Sequence, residues 1–245
     1  MKNPFVHRCS AGATQNRSAP RGRQRLLLGI GIAMIGALTF AQTFPDAQDV
    51  LANVRIRQSQ QQIDLRGQLR QDAKIVPLRL VQNGPIVRYI FSNPDETLQL
   101  KLGASDSRLE EIARSGSEKV SGAKLDDAVR GTAITYEDLA LKFLYWPNAR
   151  VLGADFIRTR NCWKLQLQAP RGDSQYASVT LWVDKDNGAL MRMEGYDGTG
   201  KLVKRFEVVS AQKIEDRWYL KQMRVEAVEP SSGRVMARTY LEINK

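Results

Sequence analysis

Apolar and polar residues alternate with a period of two over most of this chain, and that pattern constrains its fold more than any other feature. Ile63, Leu65 and Leu69 alternate with Asp64, Arg66, Gln68 and Arg70. Val76, Leu78 and Leu80 repeat the rule, as do Leu98, Leu100 and Leu102. Trp163, Leu165 and Leu167 oppose Lys164, Gln166 and Gln168, and Val179, Leu181 and Val183 follow. Met191 and Met193 stand against Arg192 and Glu194, and Phe206 and Val208 against Arg205 and Glu207. Met223, Val225 and Ala227 oppose Arg224 and Glu226, and Val235, Ala237, Thr239, Leu241 and Ile243 close the chain. Each run is a strand with one apolar and one wet face.

The turns between runs are short and rich in Gly, Asp and Asn. Asp184–Gly188, Asp197–Gly200, Glu215–Arg217 and Glu229–Gly233 all have hairpin composition. Short connections force sequential antiparallel neighbours, so the expectation is one curled up-and-down sheet of about eleven strands. Two stretches carry helix signals. Asp46 can cap a helix whose Ala47, Val50, Leu51 and Val54 share a face. Thr135 and Asp138 have capping-box spacing and open an apolar run from Leu139 to Trp146, stopped by Pro147. Asp106–Arg114 is a weaker third candidate. Residues 115–131 are polar and Ser/Gly-rich, and read as an excursion from a single domain.

The first 25 residues carry Lys2, Arg8, Arg17, Arg21, Arg23 and Arg25 and no acid. The apolar run Leu26–Phe40 and the small residues Thr39 and Ala41 follow. This is the layout of a secretory leader, 1–41, cleaved after Ala41, with a retained anchor as the alternative. The domain is then 42–245. Its net charge is far less basic than the +11 of the whole chain, because six cations belong to the leader. A basic charge that modest gives no support to a nucleic-acid partner.

The leader also contains His7, the only histidine, and Cys9. What remains has no His and a lone Cys162, which excludes His-dependent triads, histidine metal sites and CxxC pairs. Cys162 lies on a strand and is expected to be buried and unpaired. Ser121 and Lys124 match a Ser-x-x-Lys pattern, but the stretch is Gly-rich and lacks companion motifs, which favours coincidence. Asp184–Gly188 resembles the start of a calcium loop, with Gly one place early, and reads as a turn. Asp126–Asp127 and Glu110–Glu111 are adjacent acids whose side chains diverge, so neither pair is an acid/base couple. No catalytic residue, cofactor or metal is expected.

A long sheet with one apolar face must hide that face. Here only two or three short helices are available to cover it, so the concave side either holds an apolar cavity or is filled by helices and side chains. Met191, Met193, Met223 and Met236 suit either a core or a pocket for variable apolar chains. Alternation points Trp163 inward and Trp182 outward or to a rim.

The segments Ile134–Leu139 with Phe143–Pro147, the spacing to Cys162, Tyr176–Asp184 and Gly195–Lys204 resemble outer-membrane lipoprotein-sorting proteins of the LolA-like family. The resemblance covers most of the domain. It implies a mainly β half-barrel lined by apolar residues, with helices as a cover. It further implies a periplasmic carrier of lipoprotein acyl chains, with an inner-membrane exporter and an outer-membrane acceptor as partners. The expected lipid wall is one continuous surface of Leu65, Leu78, Leu100, Trp163, Leu165, Leu181, Met193, Phe206, Met223 and Val225. The expected lid is a helix with Leu139, Phe143 and Trp146 on one face. A lipid- or lipoprotein-sensing regulator of the cell envelope, built on the same half-barrel, is the alternative.

Overall fold

Asp46 starts the first element in the computed structural model, which describes residues 43–244 except 173, 215 and 216. Residues 1–41, the expected leader, lie outside the described part. The Asp46 side chain accepts from the backbone N–H of Gln48 and Asp49 at 2.7 and 3.2 Å. This cap opens helix α1, Ala47–Ser59, with Asp49 in its first turn and Arg57 in its last, both favourable to the helix dipole. Ala47, Val50, Leu51 and Val54 are its buried face, as their spacing requires.

Thirteen strands follow, in a single antiparallel sheet. The first six are β1 (Gln62–Gln71), β2 (Lys74–Asn83), β3 (Ile86–Phe91), β4 (Glu96–Leu102), β5 (Ser107–Ala113) and β6 (Gly116–Lys119). The other seven are β7 (Asn148–Ile157), β8 (Arg160–Gln168), β9 (Ser178–Asp184), β10 (Leu190–Tyr196), β11 (Leu202–Ile214), β12 (Arg217–Val228) and β13 (Val235–Asn244). The spatial order is β6-β5-β4-β3-β2-β1-β13-β12-β11-β10-β9-β8-β7. Each half is the expected meander, and the two halves join in the middle, where β1 pairs with β13. The edges are β6 and β7. They are joined by residues 120–147, which contain α2 (Gly122–Leu125), α3 (Tyr136–Ala140) and two 3-10 turns, Val129–Gly131 and Lys142–Tyr145.

Five expectations are corrected. The sheet has thirteen strands where about eleven were counted. Asp106–Arg114 holds strand β5, not a helix. The apolar run after Thr135 is not one helix, because Leu141 takes the left-handed conformation (φ 52°) and ends α3. Met191 does not share a face with Met193: a register shift between Leu190 and Arg192 turns it to the convex side, against Ile157, Cys162 and Trp182. Met236, read as a core filler, is 72% exposed.

Two apolar clusters fill the concave face. The first lies over β1–β5 and includes Leu69, Leu78, Phe91, Leu98, Leu100, Tyr136 and Ala140. The second packs α1 and the Lys142–Tyr145 turn against β8–β10 through Leu51, Val54, Phe143, Leu144, Leu165, Leu181 and Met193. On the convex side, Cys162 is fully buried and unpaired. Burial raises its thiol pKa to about 11. Trp182 faces the same way and is still covered. Lys164 and Arg192 lie over its ring at 5.0 and 5.4 Å, and its Nε1–H donates to Asp155 at 2.9 Å.

Candidate functional site

The site is the interface between the concave face and the segment that crosses it. Cross-strand registers place Leu165, Leu181, Met193, Phe206, Val225 and Thr239 side by side on one line across β8 to β13. On the other half, Leu78 is opposite Gly67 and Phe91, and Leu100 is opposite Val87 and Leu109.

The expected wall residues fall in two apolar clusters that meet at Phe206. Leu78, Leu100 and Val225 are buried in the first cluster, where Phe206 and Met223 are partly buried. Leu165, Leu181 and Met193 are buried in the second, with Trp163 at its margin. Trp163 is flanked by Phe44, edge-on at 6.4 Å, and by Lys185, 3.8 Å over the ring. Leu65 is half-buried. Phe206 and Leu141 touch both clusters and bridge them. The left-handed turn at Leu141 also separates the expected lid residues. Leu139 packs on the first cluster, whereas Phe143 and Trp146 are in the second.

Between the clusters runs a polar seam. Lys204, on the same face of β11 as Phe206, is 6% exposed. Its Nζ donates to the Ala133 carbonyl at 2.5 Å and to Asp138 Oδ2 at 3.2 Å. Asp138 also accepts from the Thr135 N–H at 2.8 Å, completing the capping box, and from the Tyr176 hydroxyl at 2.6 Å. Burial and the Asp138 charge push the Tyr176 phenol well above its usual pKa. Glu137 accepts from the Gln175 N–H at 2.9 Å, and burial raises its carboxyl pKa. The Ala133 N–H donates to Gln71 Oε1 at 2.8 Å and to Thr239 Oγ1 at 2.9 Å. Ahead of these contacts, Arg130 and the Tyr136 hydroxyl both donate to Glu96 at 2.7 Å. Behind them, Ser107 Oγ donates to the Ala140 carbonyl at 2.6 Å and Arg55 to the Leu144 carbonyl at 2.7 Å. Directional contacts at both ends and in the middle therefore fix the crossing segment on an otherwise apolar floor.

Sequence reasoning missed Lys204, Gln71 and Thr239. The signal was present, because each is a polar residue at an inward position of an otherwise apolar strand face. Asp138 was read only as a cap. Ser121 and Lys124 do not form a reactive pair. Ser121 caps α2 by accepting from the Lys124 N–H, and Lys124 Nζ is 2.6 Å from Glu111. The Asp184–Gly188 turn binds its own backbone and Arg160 through Asp184.

Residues 114–245 match a protein family whose description reads "Uncharacterized protein". No curated protein matches. Solved structures do. A DUF1329 family protein from Desulfovibrio piger is 19% identical, with TM-score 0.60 over 82% of this chain and 92% of that one. A putative outer membrane lipoprotein-sorting protein domain from Vibrio parahaemolyticus is 15% identical, with TM-score 0.62 over 81% and 90%. A LolA superfamily protein from Nitrosomonas europaea is 16% identical, with TM-score 0.58 over 82% and 93%. The chain belongs to the family matched over 114–245, and its fold is that of the LolA-like lipoprotein-sorting proteins.

Proposed function

We propose that this chain is a periplasmic carrier that shields acyl chains of a lipoprotein or another lipid on its way toward the outer membrane. On this reading residues 1–41 are a cleaved leader and 42–245 form one lipid-binding half-barrel domain. An inner-membrane exporter and an outer-membrane acceptor supply and receive the cargo. One observation carries the reading: the sheet is unclosed, and its apolar face is covered by a separate segment fastened at polar points rather than by further strands. A cover of that kind can be exchanged for a ligand without breaking the strand ladder. Each acyl CH₂ buried in its place contributes roughly 0.8 kcal/mol, so affinity needs no catalytic group. The state described is the closed one, with Leu165 and Leu181 fully buried beneath α1 and the Lys142–Tyr145 turn.

The test is native mass spectrometry of the exported protein, followed by lipid extraction. The reading expects a stoichiometric lipid or acylated protein. A bare chain that also gains no thermal stability from added oleate would refute it.

A further inference from the structure

The hairpin of β11 and β12 outruns its neighbours. β10 pairs with β11 only as far as Glu207, and β13 pairs with β12 only from Gln222. Beyond those points residues 208–214 and 217–221 pair with each other and form a two-stranded arm. Two strands alone are marginal in water. The base of the arm is held on its outward side, where Gln222 Nε2 donates to Glu242 Oε1 at 3.1 Å and Gln212 Nε2 to the Ile243 carbonyl at 3.4 Å.

The inward side is mostly apolar. Continuing from Phe206 opposite Val225, its cross-strand pairs are Val208 with Met223, Ala211 with Leu220 and Lys213 with Trp218. Strict alternation from Val225 would point Lys221 and Tyr219 inward. Register shifts on both sides of Ser210 leave Val209 and Lys221 as extra residues, and Leu220 and Trp218 turn inward instead. Burial falls along this line: Val225 is fully buried, Met223 packs on the first cluster, Leu220 is half-buried outside it, and Trp218 is 69% exposed. Leu65, also half-buried, is inward on β1 just past the point where β13 stops, at Asn244 opposite Arg66. From Val225 to Trp218 the line is about 20 Å long.

We propose that this line is a subsite for the part of an acyl chain nearest its polar head, with the tail on the first cluster and the head in water beyond Trp218. The inference rests on the carrier reading and adds the route by which a chain leaves the half-barrel. An apolar strip one strand pair wide, buried at one end and wet at the other, matches a ligand that is linear, apolar and polar at one end. Indole suits the wet end, because its ring is apolar and its N–H still meets water. The tip has no net charge to draw it to an anionic bilayer, since Glu215 and Asp216 balance Lys213 and Arg217.

The experiment titrates the exported protein with stearate and decanoate. Trp218→Ser and Leu220→Ser should each weaken stearate binding about tenfold and leave decanoate, too short to reach along the arm from the first cluster, unchanged. Trp218 is exposed, so folding is not at stake in the first variant. The emission of Trp218, taken as the difference between wild type and Trp218→Phe, should be quenched more by stearate with a nitroxide near its carboxyl than by stearate with one near its methyl end. Stearate affinity unchanged in both variants, or no such preference in quenching, overturns the arm subsite while the carrier reading stands. Variants that alter sedimentation but not binding overturn it in favour of contact with a second copy. If neither fatty acid binds, the carrier reading fails and the subsite with it.

Discussion

Replacing Lys204 with methionine tests whether the crossing segment is held as the structure implies. The Lys204 and Asp138 side chains are 8% and 1% exposed, so their attraction is poorly screened. Methionine keeps the length and apolar stem of lysine, which makes the packing cost small. What is lost is the ammonium, its bond to the Ala133 carbonyl and its pairing with Asp138. Removing one member of a buried pair costs about 3–5 kcal/mol. Asp138 keeps two donors, the Thr135 N–H and the Tyr176 hydroxyl, which places the expected loss near the lower end. At about 3 kcal/mol, a domain of this size should melt roughly 6–12 °C lower. Asp138→Asn alone should also destabilise, because it leaves the ammonium buried without its counter-charge. The double variant should lose less than the sum of the two by about 1.5 kcal/mol or more, since neither charge is then stranded. Urea denaturation of the four proteins measures this, and amide exchange across residues 133–140 should accelerate in both single variants. Additivity to within about 0.5 kcal/mol would refute the coupling and the latch built on it.

Gly195→Ala should destabilise by about 1–3 kcal/mol, because the added Cβ would lie 2.5 Å from the buried Tyr176 ring and push its hydroxyl off Asp138; calorimetry reads the change. Glu137→Gln should stabilise the protein at pH 7. Burial raises the folded-state pKa of Glu137, so the folded protein is penalised once pH exceeds the unfolded value; the gain should vanish below about pH 4, as melting at both pH values will show. Cys162 should resist thiol reagents in the native protein, since it is fully buried and its pKa is raised to about 11, and should react at once in urea.

Alternation alone exposed most of the sheet, because strands with a single buried face must write that face into every second residue. It failed where a tertiary partner made an inward polar residue tolerable. In β5, Glu111 shares the inward face with Leu109, which hides the strand pattern, and Lys124 of α2 supplies the missing charge. Lys204 is tolerated at an inward position by Asp138, which lies 66 residues away in sequence. Local cues located the start of α3, because a capping box is complete within four residues. They did not locate its end. The left-handed Leu141 has no glycine to announce it, and the Ala140 carbonyl finds its donor in Ser107, on a strand. The two-cluster division of the concave face was likewise not legible, because it depends on which inward positions the crossing segment fastens to.

On the carrier reading, the topology makes a removable cover compatible with a stable sheet. The first and last strands pair at the centre, so the two strands that would otherwise fray are locked between neighbours. The middle of the chain then has to connect the two outer edges, and here it does so across the apolar face. Such a segment is tethered at β6 and at β7, and it cannot be lost when it lifts. Its fastenings at Glu96, Gln71, Thr239 and Lys204 belong to side chains and not to the ladder, so breaking them leaves every strand pair intact. Polar fastenings also define a single closed position, which an apolar plug sliding on an apolar floor would lack. Once lifted, the segment's freed polar groups meet water, while the floor is left with two apolar clusters to cover. An acyl chain matches the clusters and not the seam. On the carrier reading, ligand and cover therefore compete for the same apolar surface, and the Lys204–Asp138 pair sets the margin by which the empty protein stays closed.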